Sequence, residues 1–128
     1  MTERFVLDAS AVLCLIRNEP GAEKVKPGLP DSSISAVNLA EVIAKMNELG
    51  MDESLIAQVL DPLQLHVVPF DAALAHASGM LRSTTRALGL SLGDRACLAL
   101  AAKLGATALT TDKVWLGLKG TASVTLAR

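Results

Sequence analysis

The fold class this chain predicts is α/β, with a mainly parallel sheet covered by helices, and three observations carry that prediction. Short apolar runs such as FVL, HVV and TAL alternate with longer segments of helical pattern, the signature of strands joined by helical crossovers. Hydrophobic residues make up 51% of the chain and aromatic residues only 2%, so the core must be built from small and medium side chains packing helices on a sheet. The 128 residues are the size of one domain with room for a proper core. No internal repeat, low-complexity tract or linker divides them, and residues 1–128 read as a single domain.

In order, RFVL (4–7) reads as a short buried strand that ends at Asp8. ASAVLCLIRNE (9–19) follows as a helix, stopped by Pro20-Gly21. A short piece, AEKVK, precedes the punctuation of Pro27-Gly28 and Pro30. SSIS (32–35) is a weak strand leading into the helix AVNLAEVIAKMNELG, whose closing Gly50 suits a left-handed stop. DESLIAQVLDPL begins with two acids, which favour a helix N-terminus. LHVVPF (65–70) is the next strand, and Asp71 can cap the helix AALAHASGMLRSTTRALG, which Gly79 weakens or divides. Ser91 starts a very apolar helix that Gly105 ends. ATALTT (106–111) is a strand, DKVWLGLKG a turn or short helical piece, and ASVTL (122–126) the final strand.

Several function classes are disfavoured at once. No apolar run approaches the roughly 18 residues that span a bilayer. The start, MTERFVLDAS, meets Asp8 too early for a secretory signal. Cys14 and Cys97 sit in apolar helical stretches and read as buried thiols of a cytoplasmic protein, with no metal-ligand spacing. The formal charge of −1 does not announce a nucleic-acid binder. A polyanionic substrate would need a local cluster of Lys and Arg, or bound metal ions.

The carboxylates are where chemistry can enter. Ligands of open α/β sheets bind beyond the carboxyl ends of the strands. Asp8 follows FVL and Asp112 follows ALTT, so both project from one edge if the strands are parallel. Ser10, Thr110 and Thr111 stand beside them and could orient carboxylates or water. Asp94 lies in the first turn of its helix, on the face of the buried stripe Cys97, Leu98, Ala101 and Ala102. Ser91-Leu-Gly-Asp94 also resembles a capping box, so capping and function compete for Asp94 and can coexist. Glu41 is harder. It lies nearly opposite the stripe of Leu39, Val42, Ile43 and Met46, where a solvated glutamate is the default, although Asn38 is on a compatible side. Should the four acids converge, two carboxylates about 4 Å apart would repel by roughly 4 kcal/mol at an effective dielectric near 20. Cations would be needed, and hard oxygen donors without His or Cys select Mg²⁺ or Mn²⁺. Such ions activate water and stabilise charge on a phosphodiester.

VLDASAVL, ISAVNLAEV, LSLGDRACLALA and LTTDKVW together resemble the PIN-domain ribonucleases, most nearly the VapC-type toxins of toxin–antitoxin pairs. The likeness spans nearly the whole chain, and its four motifs are specific only as a set. It implies a three-layer α/β/α fold, Mg²⁺- or Mn²⁺-dependent endoribonuclease activity through metal-activated water, a homodimer and a cognate antitoxin partner. By motif it assigns Asp8, Glu41, Asp94 and Asp112 to the acidic catalytic and metal site, deciding Glu41 against the helical wheel. Ser10, Asn38, Thr110 and Thr111 become supporting polar residues. Arg17, Arg82, Arg86, Arg95 and Lys113 are candidates for RNA phosphates, Arg95 foremost because it follows Asp94. His66 and His76 lack partners at ligand spacing, and Trp115 is expected to cover the core beside the site. A receiver-type signalling domain needs a mid-chain aspartate better suited than Asp71, and DxDxT phosphatase chemistry fails because residue 10 is serine. The remaining alternative is a catalytically silent PIN-like protein-interaction module.

Overall fold

The computed structural model describes residues 4–118 and 120–127. Five strands form one sheet: β1 (Phe5–Leu7), β2 (Ser32–Ser35), β3 (His66–Val68), β4 (Thr107–Thr110) and β5 (Val124–Leu126). Their spatial order is β3-β2-β1-β4-β5, and every neighbouring pair is parallel. The chain leaves β1 toward β2 on one side and later returns to place β4 on the other. The order therefore reverses between β1 and β4, the place where open α/β sheets form their ligand crevice.

The pleat sends alternate residues to opposite faces. Val6 and Ala108 point into one core, which holds Leu90, Leu98, Leu100 and Trp115. Leu7 and Leu109 point into the other, with Val12, Ile34, Val42 and Met46. Helices α1 (Ala9–Ile16), α2 (Ala22–Val25), α3 (Ala36–Glu48) and α4 (Glu53–Leu60) cover this second face. Helices α5 (Ala72–Met80) and α7 (Leu92–Leu104) cover the first, with the short α6 (Arg82–Thr85) between them in sequence. The result is the expected three-layer α/β/α architecture.

Several elements are shorter than their patterns predict. Helix α1 stops at Ile16 rather than Glu19, because Asn18 adopts φ +50°, a left-handed conformation that ends a helix before Pro20 is reached. The expected helix over 72–89 is divided at Leu81, not at Gly79. There the hydroxyls of Thr84 and Thr85 both donate to the Leu81 carbonyl, at 3.2 and 2.7 Å, beside the Thr85 N–H at 3.0 Å, a back-bonding that bends helices. Pro69, which has no N–H to donate, follows the end of β3 at Val68. The capping predictions hold: Asp71 accepts from Leu74 N–H at 2.9 Å, and Ser91 with Asp94 forms a reciprocal capping box. Gly105 at φ +62° ends α7 and lets Ala106 N–H return to the Ala101 carbonyl at 2.9 Å. No helix is long and apolar enough to cross a membrane among the described residues.

Candidate active site

Asp8 is the hub of the edge where the strand order reverses. It is the first residue past β1 and the N-cap of α1, so one side chain serves both elements. Its Oδ1 accepts from Ala11 N–H at 2.8 Å and from the Ser10 hydroxyl at 2.7 Å. Its Oδ2 accepts from the Thr110 hydroxyl at 2.6 Å. That last bond follows from register, because Leu7 pairs with Leu109 and the next residue along each strand is Asp8 and Thr110. The network then extends outward. Thr111 N–H donates to Ser10 Oγ and Asp112 N–H donates to Thr110 Oγ1, both at 3.0 Å. Asp8 is only 4% exposed. Burial raises its carboxyl from 3.8 to about 6, against the pull of the Thr110, Ser10 and Ala11 hydrogen bonds and with a smaller push from the Asp94 charge.

The second half of the site is a seam between α3 and α7. Asn38 is buried, and its Nδ2 donates to Glu41 Oε1 at 2.9 Å and to the Gly93 carbonyl at 3.0 Å. Glu41 is exposed as a residue, yet its carboxylate lies directly over Gly93. Asp94 completes the capping box, with Oδ2 accepting from Ser91 N–H at 2.9 Å. The exposure of Glu41 agrees with the helical wheel of α3, and what the wheel left out is that the first turn of α7 stands beside its carboxylate. Cys97, one turn beyond Asp94, senses the neighbourhood. Burial pushes its thiol up, and the charges of Asp8, Asp94 and Glu41 add to the shift.

Three acids thus share one locality, and Asp112 joins it through Thr110. They do not form a closed ligand set. No group of three or more His, Cys, Asp or Glu side chains among the described residues is placed to hold a metal ion. Each carboxylate is instead turned to a nearby donor: Asp8 to two hydroxyls and an amide, Glu41 to Asn38, Asp94 to Ser91 N–H, and Asp112 to Val114 N–H at 3.0 Å. Like charges favour that separation. The chemistry of the donors still fits a hard divalent cation, because the acids of this edge are accompanied by hydroxyl and amide oxygens, and the nearby Cys97 thiol is fully buried. Asn38 Oδ1 is buried with no hydrogen-bond partner, which is a further oxygen available to a cation or its hydration shell.

Comparison with known proteins bears on this arrangement. The PIN domain matches residues 5–119. The chain belongs to the PIN domain family. It is 32% identical over 111 residues to the VapC ribonuclease Mb2780c of Mycobacterium bovis, covering 79% of this chain and 85% of that protein. The same figures hold for Ribonuclease VapC42 of Mycobacterium tuberculosis. Among solved structures, DNA-bound VapBC from Salmonella typhimurium superposes with TM-score 0.79 at 20% identity, covering 99% of this chain and all of that one. VapBC2 from Rickettsia felis, bound to a promoter DNA fragment, gives 0.75 at 17% identity, covering 95% and 97% of the two chains. At such identities these likenesses establish the fold.

The candidate cations of this PIN domain differ in exposure. Arg17 is exposed at the end of α1. Arg82, Arg86 and Lys113 are exposed as well, and the turn carrying Arg86 packs beside the 3-10 turn Lys113–Gly117 that follows Asp112. Arg95 is different from what its position next to Asp94 led one to expect. Its guanidinium turns toward α5 and donates to the Ser78 carbonyl at 3.0 Å. One residue further along a helix points about 100° away, so adjacency to Asp94 is no guide to sharing its site. Thr111 contributes its backbone amide to Ser10. Trp115 is buried in the core as expected, and His66 and His76 are exposed. Gly93 was missed by sequence reasoning; its only sign was a glycine inside the first turn of an otherwise well-capped helix.

Proposed function

We propose that this PIN domain is a divalent-metal-dependent endoribonuclease, the toxin of a toxin–antitoxin pair. The observation that carries the reading is Asp8, buried at the β1–β4 switch point and joined by hydroxyls to the strand that delivers Asp112. Glu41 and Asp94 border it across the α3–α7 seam. The relatives named VapC ribonuclease support RNA as the substrate, and the hard oxygen donors of the four acids support Mg²⁺ or Mn²⁺ as the cofactor. Asp8, Glu41, Asp94 and Asp112 would hold the ion. When bound, it lowers the pKa of water and stabilises charge on a phosphodiester undergoing in-line attack.

The chain's own residues divide the remaining work. Ser10 and Thr110 fix the orientation of Asp8 by donating to its two oxygens. Asn38 holds Glu41, and Ser91 holds Asp94. Arg82, Arg86 and Lys113 are the exposed cations we assign to RNA phosphates, with Arg17 as a further candidate. Arg95 is left to packing. Neither histidine takes part. A small antitoxin partner, supported by neighbours that are VapBC assemblies, and a homodimer complete the reading.

The test compares wild type with Asp8→Asn and Asp94→Asn on total cellular RNA, with Mg²⁺, Mn²⁺ or EDTA. Cleavage should require the metal and disappear in either variant. Cleavage that persists in EDTA or in the double variant overturns the metal-site assignment. In cells, expression should arrest growth, Asp8→Asn should relieve the arrest, and arrest unchanged by that substitution would favour the silent interaction module.

A further inference from the structure

Gly93 occupies the second position of α7 and is buried, with a backbone conformation open to any residue. Alanine would ordinarily strengthen a helix at such a place. The space a side chain would need is filled by Glu41. A Cβ at Gly93 would meet both oxygens of that carboxylate, with Oε2 2.5 Å and Cδ 2.6 Å away. The same carboxylate is fastened through Asn38, whose Nδ2 spans Glu41 Oε1 and the Gly93 carbonyl. Glu41 is therefore held against the first turn of α7 by an amide on one side and by a missing methyl group on the other. That turn also carries Asp94, so the spacing of the two acids is set at this contact.

We propose that Gly93 is a positioning residue for the metal site, keeping open the seat in which the Glu41 carboxylate stands beside Asp94. This rests on the reading of the four acids as metal ligands. The clashing atoms are the far end of a flexible side chain on an exposed residue. A methyl group at position 93 therefore displaces the carboxylate and leaves the backbone in place. The chain with Gly93→Ala should stay folded, with a Tm equal to or above that of wild type, and yet lose function. This dissociation separates a positioning role from a purely structural one.

The experiment titrates Mn²⁺ into RNA-free protein by electron paramagnetic resonance, alongside thermal melts and RNA cleavage. Wild type, Gly93→Ala, Glu41→Ala and the double variant are compared. Gly93→Ala should weaken Mn²⁺ binding by about 10-fold to 100-fold, the scale seen when a group supporting a metal ligand is changed. Cleavage should fall by a comparable or larger factor. In the Glu41→Ala background the same substitution should change Mn²⁺ affinity no further, because the two residues act through one contact. Unchanged Mn²⁺ affinity in Gly93→Ala overturns the proposal, as does an equal loss in both backgrounds. A fall in Tm of the same size in both backgrounds also overturns it, since the backbone would then be what needs the space. If wild type binds no Mn²⁺, the reading of the acids as ligands fails first, before any variant is compared.

Discussion

Asp8 holds a charge where charge is costly. In an open chain its carboxyl titrates near 3.8, and burial in the fold moves it to about 6. The ionised form is thus penalised in the native state by about 3 kcal/mol at neutral pH. The sign follows from linkage. A raised carboxyl pKa leaves stability unaffected below about pH 4, erodes it as pH rises toward 6, and subtracts a constant amount above that. Asp8→Asn removes the charge and can keep an acceptor toward Ser10 and Ala11. In EDTA at pH 7.5 it should therefore be more stable than wild type by as much as about 3 kcal/mol, with the gain vanishing near pH 4. Melts across that pH range check it, and a destabilised Asp8→Asn at pH 7.5 would refute the burial argument. Divalent ion should then raise the Tm of wild type and not of the variant. The position of Asp8 was readable from an apolar run ending in an acid. Its clasp by Thr110 was not, because that bond joins residues 102 positions apart and depends on strand register.

Helix α7 shows what can and cannot be read along a single element. Its start was legible, since Ser91 and Asp94 have capping-box spacing and both reciprocal bonds form. Ser91→Ala should cost about 1 kcal/mol of stability in urea unfolding, because it removes the hydroxyl that accepts from Asp94 N–H and keeps the residue 91 N–H that holds the Asp94 carboxylate. A variant with unchanged stability would show that the cap contributes nothing to this buried helix. Helix α3 was legible in its extent and misleading in its faces. A wheel sorts residues by one contact direction, and α3 meets both the sheet and α7. The division of the helix at Leu81 escaped notice for a related reason: threonine hydroxyls act on a carbonyl three or four residues back, and composition does not record which rotamer they take.

The whole sheet explains why the site lies where it does. Parallel pairing on both sides of β1 sets Asp8 and Asp112 at one edge, and the reversal of strand order opens that edge between two helical layers. Alternating short strands and helices made this architecture readable in advance, whereas strand order was not, because it is decided by which neighbours bury Val6 and Leu7 best. Leu109, 1% exposed, is a pivot of that packing. Leu109→Ala should cost about 2–5 kcal/mol, read as a lower urea midpoint, and a neutral result would contradict the core described here. With a net charge of −1, the proposed RNA substrate would have to be held by local cations. Removing one phosphate contact by Arg86→Gln should lower the salt dependence of RNA affinity by about one counterion, measured on Asp94→Asn to prevent cleavage; an unchanged slope would exclude Arg86 from the interface.

Sheet order has one more consequence, for the time course of synthesis. Strand β4 enters the centre of the sheet beside β1 although nearly a hundred residues separate them. A chain emerging from the ribosome has Asp8 and Glu41 early, but neither α7 nor β4 to set against them until its last third is made. Contacts between such distant segments form late, after the entropy of closing a long loop has been met. On the proposed function, a nascent chain truncated before residue 90 should therefore be harmless to the transcripts around it, and nuclease activity should switch on abruptly as the final strands dock. On that same proposal, an antitoxin would have that interval in which to arrive.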